Sequence, residues 1–530
     1  MSTMVTDANP NHSRPLDVHR WSDHREIKEL VDRIWPEILR DHEDLLEKKG
    51  NRKPLSDAKT QLRTLITDLY VAWLDDPELW VAIKRGNGDF SPTSRYNALH
   101  VSKMMPVIVD ALMDTDYLDH VPFSNDRTYG GRFSRTSRYR ANAKLQGLFK
   151  GLTVTLFDIR DHKKKETIIL TEFETDDEGN FIKTSRGKKR SFIEYEDEDY
   201  PLAVKMRSDL HAYNELLRLT HVDIASLDKP FVTRIKAGGK PQRISINQLG
   251  KWVRRIFSRG SWELNGRFYG GWWQLVGEEL RKDILIDGSP TIEVDFKGFH
   301  VSMLANEAGV LKPFDYDWYD LEECLIPDID LAQQRKVLKL LVLTAINASS
   351  VPQAFRAYRD KASGSLNKST GTMEFPVLKD RELGQLLSAF LDRHPYLAKG
   401  ICSDRGIGLM YQDSLITGHI INDFVAKGEP ILSVHDSYIV KRDSVIELRD
   451  AINRATKSVI NAKLAADQEE YSTQQRQQIL NQFRQHDYDY FVSLSLDGYL
   501  SPKHTVQRTK RYENDLKKFM NWKASLEPSS

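Results

Sequence analysis

The sequence predicts an α+β protein, and three patterns carry that expectation. Apolar residues recur at helical spacing from Glu26 to about Ile83, and again from Ser94 to Met113. Runs of β-branched and aromatic residues, LTVTLFDI, ETIILTEF and FIEYE, follow between 151 and 200 and read as strands. Further on, two short strand-like runs reach an aspartate each, Asp295 and Asp436, with helical sequence between them. The organisation expected is a flexible arm at 1–20, a helical, winged-helix-like domain at 21–150 and a β-rich then helical connecting region at 151–258. A domain at 259–445 holds both aspartates, and a C-terminal helical region with a basic tail spans 446–530.

A chain of 530 residues has room for three or four domains of roughly 150 residues each. Hydrophobic residues at 40% and charged residues at 29% exclude a fibre or wholesale disorder. Lys+Arg 77 against Asp+Glu 76 leaves +1, so overall charge selects no partner and local asymmetry must do so. Cys324 and Cys402 are too few for a disulfide framework and too far apart for a zinc knuckle, which fits a reducing, cytoplasmic setting. No apolar run approaches the roughly eighteen residues of a membrane span, and the polar start lacks the apolar core of a signal peptide. Oligomeric state leaves no mark in the sequence.

Taken in order, Ile27, Leu30, Ile34 and Ile38, then Leu62, Leu65, Ile66, Leu69, Ala72 and Trp73, give a helical pair or triplet that Pro92 ends. Segment 121–165 holds eleven Lys/Arg and three acids, a net of +8. Arg132, Arg135, Arg138 and Arg140 interleave there with Tyr129, Phe133 and Tyr139. A helix followed by such a hairpin suits a winged-helix nucleic-acid binder whose arginines meet phosphate, and the alternative is a solvated basic loop. Asp-Glu-Gly at 177–179 reads as a turn, Leu202–Leu219 as a helix and 467–486 as an exposed helix or linker. The tail 501–530 has seven basic and three acidic residues.

Four pieces between 260 and 440 carry the chemistry. TIEVDFKGFH (Thr291 to His300) is an alternating strand ending at Asp295, whose bland role is to cap the helix that follows. ILSVHDSYIV (Ile431 to Val440) reads as a hairpin with a three-residue polar tip and Asp436 at its apex. Two carboxylates on strand ends of one domain, with no Cys/His cluster, favour a shared Mg²⁺ or Mn²⁺ site over zinc. Arg335, Lys339, Leu343 and Asn347 are spaced by four and share one helix face, suited to a triphosphate at one end and a base at the other, or merely to solvent. Asn265-Gly-Arg267 and the following Trp272-Trp273 offer close backbone approach, a cation and stacking faces, or else a Gly-rich turn anchoring a Trp pair in the core.

Carboxylate strand, Arg/Lys helix, then a helix and a His-Asp hairpin is the order of motifs A, B and C in right-hand polymerases. Residues 260–445, about a third of the chain, resemble single-subunit phage and mitochondrial RNA polymerases and, more distantly, family A DNA polymerases. The resemblance implies a palm of antiparallel strands with small fingers, since 141 residues separate Asp295 from Asp436. It implies that Asp295, Asp436 and the Phe296 carbonyl bind two catalytic metals, and that Arg335 and Lys339 meet a nucleoside triphosphate, with Lys339 steadying the leaving group. His435 would meet the primer-end phosphate, Arg267 with Trp272 and Trp273 the template, and the 121–165 module the upstream DNA duplex. The run Gln412-Asp413-Ser414 is similar to the stretch preceding motif C in those RNA polymerases, and His-Asp-Ser is their form of that motif.

Departures divide the readings. Asn347 and Ala348 replace the motif B tyrosine and glycine, and His300 stands where DNA polymerases of this kind carry a bulky steric gate. His300 disfavours a 2′-hydroxyl while Ser437 leans towards RNA. The expectation is a two-metal nucleotidyltransferase leaning to DNA-directed RNA synthesis, with nascent RNA or a primer, template and triphosphates as partners. A family A-like DNA polymerase is the alternative within that class. Outside it stand a metal nuclease, which would have no triphosphate for the Arg/Lys helix to clamp, and a non-catalytic DNA-binding or replication protein with a degenerate palm. Glu293, two residues before Asp295, reads as a charge-neutralising neighbour rather than a ligand, and Arg281 with Lys282 as a solvated helix end.

Overall fold

The computed structural model describes residues 9–46, 56–86, 90–126, 133–460, 494–496 and 507–526, except 177, 179–180, 185–186, 236–240, 297, 311, 313–315, 328 and 365–373. Calls on 177–179 and 467–486 therefore lie outside the described residues, save Glu178.

Strand β1 (Ser13–Pro15) runs parallel to β2 (Trp80–Ala82). Residues expected as a loose arm thus form a sheet edge, and Arg14 fastens it to the buried carboxylate of Asp68 at 2.7 Å. Helix α1 (Arg25–Leu39) buries Ile27, Leu30, Val31, Ile34 and Ile38 on one stripe. Helix α2 (Ala58–Asp75) starts where the Asp57 carboxylate accepts from the Thr60 N–H at 2.6 Å. Helix α3 (Met104–Asp114) leads into a long antiparallel ribbon: β3 (Leu118–Val121) pairs with β6 (Arg138–Ala141), and β4 (Ser124–Asp126) with β5 (Phe133–Arg135). The order helix-then-hairpin is as the sequence predicts. One hydrophobic core unites these elements and extends to Ile159.

Strands β7 (Ile168–Phe173) and β8 (Arg190–Phe192), helix α4 (Pro201–Arg218) and strand β9 (Val222–Ile224) lead to the hairpin β10 (Arg254–Ser258)–β11 (Ser261–Tyr269). The expected boundary at 258 falls inside that hairpin, because β10 pairs with β11 across it, and β10 also pairs in parallel with β7. The second sheet runs β8-β7-β10-β11.

A third, antiparallel sheet orders β9, β12 (Ile284–Ile286), β13 (Ser289–Phe296), β15 (Ser437–Lys441) and β14 (Ile431–Val434), with β16 (Leu494–Leu496) pairing the end of β13. Helices α5 (Phe299–Glu307), α6 (Leu331–Ile346), α7 (Val351–Gly364), α8 (Asp380–Arg393), α9 (Gly406–Lys427) and α10 (Val445–Ile460) share one hydrophobic core with it. Helix α11 (Lys510–Ala524) returns to the sheet edge, where Arg511 grips Asp223 through two bonds of 2.7 and 2.9 Å. No helix among the described residues is long and apolar enough to cross a membrane.

What positions the site is a β-bulge. Ile256 pairs with Arg267 and Phe257 with Asn265, leaving Gly266 as the extra residue. Asn265 and Gly266 take φ values of 68° and 73°, and a Cβ on Gly266 would lie 2.8 Å from both Phe257 and Ser414 Oγ. The close approach that the glycine serves is therefore to helix α9. Gly266→Ala is expected to cost about 2–4 kcal/mol from left-handed backbone plus overpacking. Gly147→Ala, in the open face of the short helix Ala143–Phe149, is expected to gain about 0.5–1 kcal/mol. Urea unfolding of the two variants against wild type checks both signs.

Candidate active site

Strands β13 and β15 are antiparallel neighbours, with Asp295 directly opposite Ser437. Strands β14 and β15 join through a two-residue turn, His435-Asp436, rather than the three-residue tip expected, because Ser437 already pairs with Val434. His435 takes φ 58° to close it. Asp295 and Asp436 therefore end at the same edge of the sheet, as cross-strand neighbours. Among the described residues no three His, Cys, Asp or Glu side chains converge as a metal-holding group.

Glu293 shares the face of Asp295 and is buried. Arg281 grips it with bonds of 2.7 and 2.9 Å, and Ser437 Oγ donates to it at 2.7 Å. Glu293 is neutralised as the sequence predicts, whereas Arg281 turns inward instead of facing solvent.

Under the two strand ends lies Arg267, re-aimed by the bulge. Its Nε donates to Asp413 Oδ2 at 2.5 Å and its Nη2 to His300 Nε2 at 3.2 Å. A guanidinium can only donate, so His300 accepts at Nε2 and carries its proton on Nδ1. Burial, then the charge of Arg267, lowers the His300 pKa to about 4, so the ring is neutral at physiological pH. Burial pushes the Asp413 carboxyl up to about 7; Arg267 opposes that shift and Asp436 adds to it. The same influences, burial first and Arg267 second, lower His435, whose buried Nδ1 has no partner among the described residues.

Arg335, Lys339 and Leu343 line the exposed face of α6, as the spacing predicts. Arg335 pairs with Asp317 and Lys339 is exposed. Tyr319 connects this face to Asp436: its hydroxyl pKa is raised by burial and feels Arg335, Asp317 and Asp436. Asn347 has structural partners. It is the C-cap of α6, donates to the Leu343 carbonyl at 2.8 Å and lies against Gly406, where a Cβ would come within 2.1 Å of its Oδ1.

Other expected contacts are also corrected. Trp272 and Trp273 are core residues, 2% and 0% exposed, and Trp273 Nε1 donates to the Ser433 carbonyl at 3.0 Å. They anchor the turn and offer no stacking face. Arg140 is buried, pairs with Glu78 and Asp119 and lies over Trp80, so it has no guanidinium edge for phosphate. Arg138 donates to Ser13 Oγ at 2.9 Å and to the Thr136 carbonyl, tying the ribbon to β1. The side chains of Arg132 and Arg135 lie outside the described residues.

Two residues were given no role by sequence reasoning, Asp413 and Tyr319. Asp413 had a signal: with Leu409, Ile416, Thr417 and Ile420 it lies on the buried stripe of α9, where a carboxylate needs a cation. Tyr319 comes from an irregular segment and had none.

No family model and no curated protein matches the chain. Among solved structures, the POL domain of Pol1 from M. smegmatis, in complex with DNA primer-template and dNTP, matches at 11% identity and a TM-score of 0.21. The match covers 54% of this chain and 56% of that one, so the chain spans about half the length of that structure. A likeness of that size leaves the reading of the site to its own residues.

Removing one partner of a buried ion pair costs more than replacing both. Arg267→Met is expected to lose about 3–5 kcal/mol, and the double variant Arg267→Met/Asp413→Leu to recover most of it. Urea unfolding midpoints of the single and double variants check this.

Proposed function

We propose that the chain is a template-directed nucleotidyltransferase, leaning to DNA-directed RNA synthesis, with nucleic acid and nucleoside triphosphates as partners. The observation that carries the reading is the placement of Asp295 opposite Ser437, the residue after Asp436, with Tyr319 feeling both Asp436 and the Arg335 of the exposed α6 face. A nuclease would have no triphosphate for that face to hold.

The donors fit Mg²⁺ or Mn²⁺. Asp295, Asp436 and the Phe296 carbonyl are hard oxygen ligands, and Mg²⁺ is commonly held by one or two carboxylates with water and substrate phosphate completing its shell. When bound, such ions lower the pKa of an attacking hydroxyl and neutralise a leaving pyrophosphate. Arg335 would exchange Asp317 for a phosphate, using its planar fork. Lys339, one turn along, would lie on the leaving group. His435, with its unpartnered Nδ1, would donate to the phosphate at the growing end. Arg267 acts from below, holding His300 and offsetting the charge of Asp436.

DNA synthesis is the second reading, and His300 favours it. The ring is held neutral and fixed by Arg267, five residues after Asp295, where a bulky side chain would crowd a 2′-hydroxyl.

Primer extension and de novo synthesis with Mg²⁺ or Mn²⁺, on single- and double-stranded DNA templates, test the reading. Product from NTPs or from dNTPs is expected, falling at least about 1,000-fold in Asp295→Ala and in Asp436→Ala, with DNA affinity unchanged. Absence of product from either nucleotide class, or product that persists in both variants, would overturn it.

A further inference from the structure

A cavity of about 240 Å³ lies between the N-terminal unit, helix α4, the 248–252 turn and helix α11, and it shares no residue with the site around Asp436. Its walls are mainly apolar, and three aromatic side chains from three segments line it: Phe157, Trp252 and Trp522. Phe157 and Trp522 already lean on each other, 5.6 Å between ring centroids.

The polar residues of this cavity include the cations Arg160, Lys163, Arg218 and Lys251, of which Lys251 is incompletely satisfied among the described residues. Lys251 is 2% exposed, and its ammonium, with three donors, has one bond, to the Thr220 carbonyl. No carboxylate pairs with it among the described residues. Asp287 faces it from a distance but pairs with Lys441 at 3.6 Å, while Arg218, Lys523 and His221 face it as cations or neutral imidazole. The two acids in the wall are already occupied: Asp161 by Lys165 at 2.6 Å and Glu215 by Arg218 at 2.7 Å. Two further polar atoms beside the cavity, His211 Nε2 and Trp252 Nε1, are buried with no partner among the described residues. Leaving a buried ammonium and an indole N–H unmatched is costly, and an anion with a ring acceptor would satisfy both, while the neutral His211 ring, which donates to the Lys165 backbone, has Nε2 left to accept from a ring amino group.

We propose that this cavity binds a nucleoside monophosphate, its phosphate on Lys251 with Lys163 and Arg218 at the rim and its base among Phe157, Trp252 and Trp522. A planar base supplies both the apolar faces and the ring acceptors, whereas inorganic phosphate would leave the aromatic walls bare. Such a ligand would touch the N-terminal unit, α4 and α11 together. The proposal is independent of what Asp295 and Asp436 do.

Burial, with Arg218 and Lys523 nearby and Asp287 opposing, lowers the Lys251 pKa to about 7. Affinity for the anion is therefore expected to fall as pH rises from 7 to 9, where Lys251 loses its proton.

Isothermal titration of the full chain with AMP, adenosine and inorganic phosphate, without divalent metal, tests the proposal. AMP is expected to bind saturably and at least about tenfold more tightly than adenosine or phosphate. Lys251→Met and, at the half-buried wall, Trp522→Ala should each weaken AMP by about tenfold, with unfolding midpoints held and Asp436→Asn binding as wild type. Equal binding of phosphate and AMP, unchanged affinity in both cavity variants, or no saturable binding would overturn it.

Discussion

The arrangement of the central sheet's functional edge depends on one buried ion pair, Arg267 with Asp413. It ties strand β11 to helix α9, and through His300 it reaches helix α5, so three elements meet under the Asp295 and Asp436 strand ends. Local backbone makes the pair possible: the bulge at Gly266 turns Arg267 away from its strand's regular alternation and lets α9 approach. Arg255 reinforces the junction by bonding the Gly266 carbonyl and Ser414 Oγ at 2.8 and 2.9 Å.

Charge compensation follows a simple division. Glu293 has Arg281 and Asp413 has Arg267, so these two buried carboxylates are balanced inside the protein. Asp436 sits in the half-buried turn instead, and its charge is felt by Arg267, His300, His435, Asp413, Tyr319 and Tyr438. Both imidazoles are held towards neutrality by burial and by Arg267, so neither cancels that charge. On the proposed reading, this end of the sheet is where a cation arriving from solvent would meet Asp295 and Asp436.

Much of this was legible in the sequence where periodicity and burial agree. The stripe Ile27, Leu30, Ile34, Ile38 is buried as its spacing requires, and the face Arg335, Lys339, Leu343 is exposed for the same reason. Alternation placed Glu293 and Asp295 together. The errors arose where a side chain's partner is distant in sequence. Arg140 looks like a phosphate ligand until Glu78 and Asp119 are seen beside it, and Trp272-Trp273 look like a stacking platform until β14 covers them. The expected boundary at 258 lies between two strands of one hairpin, β10 and β11, which pair across it. Asp413 marks the limit between the two cases, since its position on an apolar stripe was visible and its partner, 146 residues away, was not.

The central claim is that Asp295 and Asp436 act together to hold a divalent cation. Mn²⁺ binding to the full chain, followed by electron paramagnetic resonance without nucleotide, tests it most directly. Saturable binding that is lost in both Asp295→Asn and Asp436→Asn, yet kept in Glu293→Gln, is the predicted result. Equal binding in wild type and the two aspartate variants would contradict it.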